Sequence, residues 1–281
     1  MRFDGPVLFH PDGGRCLAGA TVAALQERAA AHGADVVFGT GPATLEDTGD
    51  EVVVRAGERE WRARVGVVTA GAWVAPTVAG LVELPPMTVT REQLQHFAPR
   101  DARGGGAAAW PSFIHHRQPW VYGLFSSGEG MKVAEHHVGP VVDPDLDDTS
   151  VLAELAGRAS AYVEAWFPGL DPAPIHIARC IYTTTANEDF VIDRSGSIVI
   201  GSPCSGHGFK FTPLVGRILA DLADGAQLDH TAPSDAVARK ATSVSGMFGA
   251  YAATRSPGAT PRRRSPAAHR ATCSASSARV S

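Results

Sequence analysis

The run from residue 189 to 225, DFVIDRSGSIVIGSPCSGHGFKFTPLVGRILADLADG, leaves the chain little choice of local path. Two apolar runs flank Ser195-Gly196, which predicts a hairpin. The second run enters residues 201–211, GSPCSGHGFKF, where three glycines, Cys204, His207 and Lys210 crowd one turn. Thr212-Pro213 then opens a helix with Leu214, Val215, Ile218, Leu219 and Leu222 on one face and Gly225 at its end.

Four chemistries compete for that turn. Free N–H groups at a helix start, bare glycine backbone and Lys210 suit an anion or a cofactor. No GxxxxGK[ST] and no GxGxxG is present, and glycine-rich turns before helices are more often structural. His115-His116, His136-His137, Cys204 and His207 could ligate a metal. Neighbouring strand residues face opposite sides, however, and no HExxH or cysteine spacing supports zinc. Cys204 and His207 could form a nucleophile pair, yet such pairs usually join residues distant in sequence, and Cys204 reads better as packing.

Upstream, residues 19–40 predict a helix with Val22, Leu25 and Ala29 on one face, ended by Gly33, then a short buried strand at residues 36–38. EVVVRAG and WRARVGVVTAGAW predict two strands joined at Gly57, the second running into Thr69-Ala70-Gly71-Ala72-Trp73. A buried strand entering a small-residue turn is where α/β sheets place ligands. Met87, Val89 and Leu94 mark a strand, RGGGAAAW a flexible loop, and residues 111–139 an antiparallel meander that holds Lys132, by pattern a solvated strand residue. A helix follows, capped by Asp148 or Thr149, with Leu152, Leu155, Ala159 and Val163 inward and Pro168-Gly169 as its stop. HIARCIYTTT is a further strand.

A net charge of −4 argues against a general nucleic-acid binder. After His230 seven Arg and one Lys meet a single acid, in an Ala/Ser/Arg/Pro-rich tail that is expected to be disordered or the product of a frameshift. Cysteines at 16, 180, 204 and 273 form no CxxC, so a reduced, cytoplasmic setting is expected. There is no eighteen-residue apolar run and no signal-peptide core, so no membrane span is expected.

The ordered motifs FHPDGGRC…AALQERAAAHGADV, GVVTAGAW, TVTREQ, YGLFSSGEGMKVAEHH, CIYTTTANEDFVID and SPCSGHGFKFTPLVGRILADLA run over roughly residues 5 to 230. Together they resemble the monomeric sarcosine oxidase and N-methyltryptophan oxidase family, FAD-dependent amine oxidases. The resemblance implies an α/β fold: an incomplete, glutathione-reductase-like FAD-binding domain from residues 1–80 and 185–230, an antiparallel substrate domain at 81–184, and a basic tail at 231–281. It implies FAD held covalently through Cys180. Tyr122, Tyr182 and His136 match active-site residues, Lys132 the lysine that activates oxygen, and Lys210 the lysine that pairs with the substrate carboxylate. Gly206, His207, Gly208, Phe209 and Lys210 match backbone at the flavin pyrimidine. Ala70, Gly71 and Trp73 match a turn beside the cofactor, and Val37 the strand near its adenine end.

The implied reaction oxidises an N-methyl or secondary amino acid and reduces oxygen to hydrogen peroxide. The imine hydrolyses, releasing formaldehyde on demethylation. A monomer acting on a small molecule, with no nucleic acid or membrane partner, goes with that reading. The family's opening GxGxxG unit and an arginine for the substrate carboxylate have no counterpart here, so weak FAD binding by the chain alone is expected. Glu135 stands where relatives often carry an aromatic residue. The alternatives are a non-catalytic fragment or mis-called reading frame of such an oxidase, and a hydrolase using Cys204 and His207.

Overall fold

The computed structural model describes residues 1–101, 110–126, 128–146, 148 and 150–226. Thr149, all of the loop expected at 103–110 except Trp110, and the tail after His230 lie outside the described residues.

Helix α1 (Ala18–Ala31) ends as expected, with Gly33 at φ +87° and its N–H on the carbonyl of Ala30. Its expected inward face is not buried: among the described residues α1 has no buried residue, and Val22 and Leu25 are exposed. The buried strand expected at residues 36–38 is absent. These residues are irregular and exposed, because no described strand lies alongside to take their backbone groups.

A three-stranded antiparallel meander follows: β1 (Ala43–Asp47), β2 (Val52–Ala56) and β3 (Arg59–Ala63), with Gly57 at φ +59° between the last two. The second run thus forms two strands rather than one. Its first half is β3; its second half is β4 (Gly66–Val68), which joins another sheet. A 3-10 turn at Gly71–Trp73 and the short helix α2 (Val74–Thr77) continue from it.

The long strand β5 (Met87–Pro99) belongs to an antiparallel sheet with β6 (Phe113–His115), β7 (Val121–Ser126), β8 (Gly130–Glu135) and β9 (Leu170–Thr185), in the order β6-β7-β8-β5-β9. Helix α3 (Ala153–Trp166) covers one face. Phe97, Val121, Met131, Val133, Ala159, Tyr162, Val163, Phe167 and Leu170 form the core between them. Each large side chain fully buried there contributes about 1.5–3 kcal/mol. Among the described residues no side-chain hydroxyl or carboxylate caps α3. The Gln93 amide takes that place, donating to Leu152 O at 3.1 Å and accepting from Leu152 N at 2.8 Å. Asp148 is drawn off to Arg91 at 2.7 Å, a guanidinium that would otherwise be buried without a counter-charge.

The hairpin β10 (Val191–Ser195) and β11 (Ile198–Ser202) turns at Gly196, φ +58°, and β11 runs parallel to β4. Every residue of β11 is buried. One side packs on helix α4 (Thr212–Ala223) through Val199, Val215, Ile218, Leu219 and Leu222. The other packs on Val52, Val68, Val74 and Val78. Leu214, expected inward, is exposed: it lies at the edge of the apolar stripe, beyond the reach of β11.

Candidate active site

Residues paired across an antiparallel ladder project to the same side of the sheet, and that side alternates along each strand. The register sets Tyr182 opposite Thr90, Cys180 opposite Glu92, Lys132 opposite both His96 and Leu124, and Tyr122 opposite Ala134. Tyr122, Lys132, Glu92, Cys180 and Tyr182 therefore share one face, with Phe97, Met131 and Val133 on the other, against α3. Four of the residues singled out in sequence, from three separate strands, come together in this way.

On that face the Tyr122 and Tyr182 hydroxyls share a hydrogen bond at 3.3 Å, and the Tyr182 hydroxyl lies 3.4 Å from His136 Nδ1. Lys132 Nζ stands 5.3 Å from the centre of the Tyr122 ring, a cation–π contact. His136 and His137 do not diverge as neighbouring strand residues would. They lie past the end of β8, and φ +56° at His137 folds both rings onto Tyr182, at 5.5 and 5.3 Å. Glu135 turns away from this face and pairs with Arg158 on α3.

The glycine-rich loop closes over the end of β9. Ser205 N–H donates to Thr183 O at 2.8 Å. Gly206 sits at φ +74° so close to Tyr182 that a Cβ would lie 2.4 Å from the ring, and a Cβ on Gly208 would strike Pro203 O. Lys210 Nζ donates to His207 O at 2.7 Å, and Phe190 stacks on the His207 ring at 5.0 Å. Phe209 is exposed. Farther along, the turn carrying Ala70, Gly71 and Trp73 lies against β9, with Gly71 at φ +56° and Trp73 Nε1 donating to Asp145 at 2.7 Å. Val37 lines a separate open cleft with Arg59 and Trp61.

Burial dominates the electrostatics. Desolvation pushes His136 down to about 4, helped by His137, His207 and Lys210. It also lowers His207, Lys132 and Lys210, and it raises Tyr122, Tyr182 and the Cys180 thiol. Lys132 opposes the rise at Cys180. At neutral pH the site presents a neutral His136 and protonated tyrosines.

Cys204 and His207 do not form a pair. His207 Nδ1 donates to Ser205 O at 2.8 Å, and Cys204 Sγ accepts from Ser202. Among the described residues no group of three His, Cys, Asp or Glu is placed to hold a metal ion, and no helix is long and apolar enough to cross a membrane. Glu92 belongs to this face and was not singled out in sequence, and His137, which packs on Tyr182, was weighed there only as a metal ligand. An acid on a strand reads as solvated, and the register that buries Glu92 is invisible without the pairing.

A family model described as DAO, FAD dependent oxidoreductase, matches residues 3–222. The chain belongs to this family. It is 31% identical over 230 residues to monomeric sarcosine oxidase of Bacillus sp. (strain NS-129), covering 79% of this chain and 59% of that protein. It is 35% identical over 188 residues to human peroxisomal sarcosine oxidase, covering 61% and 47%. It is 28% identical to N-methyl-L-tryptophan oxidase of Citrobacter koseri over 64% and 49%. The chain thus spans between 47% and 59% of the length of these relatives. Among solved structures, NikD, an unusual amino acid oxidase, superposes with a TM-score of 0.65 at 23% identity over 76% of this chain and 58% of that one. L-proline dehydrogenase from P. horikoshii gives 0.63 at 20% identity, over 74% and 56%. The shared fold is part of an α/β FAD-binding domain joined to an antiparallel sheet.

The residues present fit FAD. His207 Nε2 is buried with no hydrogen-bond partner, at a loop whose glycines keep the backbone bare. An exposed thiol at Cys180, the half-buried Lys132 ammonium and the exposed Lys210 complete a donor set suited to an electron-accepting ring.

Proposed function

We propose that this chain builds the substrate side and flavin edge of an FAD-dependent oxidase of sarcosine or another N-methyl or secondary amino acid. The observation that carries the reading is the Tyr122–Tyr182–His136 cluster, flanked on one sheet face by Lys132 and Cys180 and roofed by the loop at Gly206. In this reading residues 81–184 supply the substrate domain, and residues 1–80 and 185–230 the FAD-binding part.

The chemistry that bound FAD would supply is two-electron oxidation at the carbon beside the amine nitrogen, with oxygen as the final acceptor, so that the products would be an imine and hydrogen peroxide. The chain's residues prepare that exchange. Cys180 would tether the cofactor, its thiol beside Lys132, which favours the thiolate; the carbon–sulfur bond would replace a carbon–hydrogen bond of the flavin, with the two electrons and protons released taken up by oxygen. Lys132 places a fixed positive charge where oxygen gains negative charge in a site shielded from water. Lys210, anchored on His207 O, meets the substrate carboxylate. Tyr122 and Tyr182 hold the amine end through their hydroxyls. His136 is neutral, so it offers the amine end a hydrogen-bond partner without placing a second positive charge beside Lys210.

Hydrogen peroxide formation by purified chain supplied with FAD tests the reading, with sarcosine, N-methyltryptophan and proline compared. Peroxide from an N-methyl or secondary amino acid, and none from the matching primary amino acid, is expected. Turnover of primary amino acids alone would overturn it.

A further inference from the structure

Glu92 is a carboxylate at 3% exposure in the middle of the longest-paired ladder of the molecule, β5 on β9. Burying such a charge is costly unless donors surround it. Here they do. Thr90 Oγ1 donates to Oε1 at 2.8 Å, and the backbone N–H groups of Val138 and Gly139 donate to Oε2 at 3.2 and 3.0 Å. Those two amides directly follow His136-His137. The same turn is pressed onto β5 by Arg91 N–H donating to Pro140 O at 2.9 Å. A Cβ on Gly139 would lie 2.1 Å from Arg91 O, so the turn leaves no slack.

The three non-glycine residues with positive φ among those described, His137, Glu188 and Ser205, all gather near the carboxyl end of β9. His137 Nε2 lies 3.8 Å from Glu188 Oε1, and Ser205 N–H donates to Thr183 O. Backbone strain of this kind persists only where surrounding contacts hold it. Glu92 supplies two of those contacts to the His137 turn. On its other side it faces Cys180 across the ladder.

We propose that Glu92 is a positioning residue of this site. Clamped on the Val138 and Gly139 amides, it holds the His136–His137 turn against Tyr182, and it sets a fixed negative charge opposite Cys180. The inference rests on the oxidase reading for its purpose and on the geometry alone for its two effects. The groups facing Cys180 are Glu92 on β5, Lys132 on β8, Tyr122 on β7 and Tyr182 on its own strand. Lys132 favours the thiolate and Glu92 opposes it.

Glu92→Gln separates charge from shape, since the amide keeps one acceptor and loses the charge. Alkylation of the full chain across pH, resolved by peptide mass spectrometry, reads Cys180 apart from Cys16, Cys204 and Cys273. In Glu92→Gln the Cys180 midpoint is expected to fall by about half a pH unit or more, an about threefold faster reaction below the midpoint. The His136 imidazole resonance, assigned by its loss in His136→Asn, is expected to shift as well. Glu92→Asp retains the charge and is expected to keep the Cys180 midpoint while still moving His136; it also serves where the amide variant fails to fold.

A folded Glu92→Gln with both signals unchanged overturns the proposal. So does Glu92→Asp with a midpoint displaced as far as in the amide variant. Failure of the oxidase reading leaves both signals intact, because neither requires flavin or substrate. Failure of the Glu92 proposal leaves amine oxidation by the unaltered chain untouched.

Discussion

A single hydroxyl, on Tyr182, links the two tyrosines and His136, so it is the residue on which the proposed chemistry turns. Tyr182→Phe keeps the packing under Gly206 and removes both hydrogen bonds. Stability is expected to fall by about 1 kcal/mol, while amine turnover, followed as peroxide, falls roughly tenfold or more. His136 makes a second test through pH. Its folded value, about 4, lies below the ordinary 6.5, so the unfolded chain binds the extra proton first as pH falls. Its contribution is present above about 6.5 and is lost as pH drops through about 4. His136→Asn is therefore expected to lose less stability than the unaltered chain between neutral pH and pH near 4, measured by urea unfolding. Much of this face was legible from motif likeness: Cys180, Tyr122, Lys132, Tyr182 and His136 do converge. Glu92 was not legible, because ladder register buries it, and His137 was legible only as a possible metal ligand, because a left-handed turn aims it; neither leaves a periodic trace.

Elements were read most securely where a single strong pattern ruled. The hairpin at Gly196, the helix opening at Thr212-Pro213 and the meander around Lys132 all form as expected. Misreadings arose where a partner decides the outcome. Residues 36–38 are apolar enough for a strand and lack a neighbour. The start of α3 found its cap on Gln93, far away in sequence, rather than on nearby Asp148. The long run through Val65 was split between two sheets. The glycine-rich loop gives the sharpest test at this scale. Gly206→Ala adds a methyl against the Tyr182 ring at a backbone angle suited to glycine. A loss of about 1–3 kcal/mol in thermal or urea unfolding is expected. Tyr182 fluorescence and His136 resonances should move with it, because the loop and the cluster share that contact.

Across the whole molecule, packing is uneven. Two sheets are sealed by α3 and α4, whereas α1 and residues 36–38 leave Val22, Leu25 and Phe38 exposed. Replacing Val22 and Leu25 together with Gln is expected to leave unfolding within about 0.5 kcal/mol, while Val163→Ala in the α3 core costs about 1–3 kcal/mol. Weak retention of FAD by the isolated chain is expected from the same open region, so the site is to be loaded with excess cofactor. The face carrying Cys180, Lys132 and Tyr182 should nevertheless direct where flavin attaches. The decisive measurement is peptide mass spectrometry of the full chain after incubation with excess FAD. Flavin on the Cys180 peptide, lost in Cys180→Ser, is the expected result; flavin on Cys16 or Cys204 instead, or none on any peptide from a preparation that oxidises sarcosine, would contradict it.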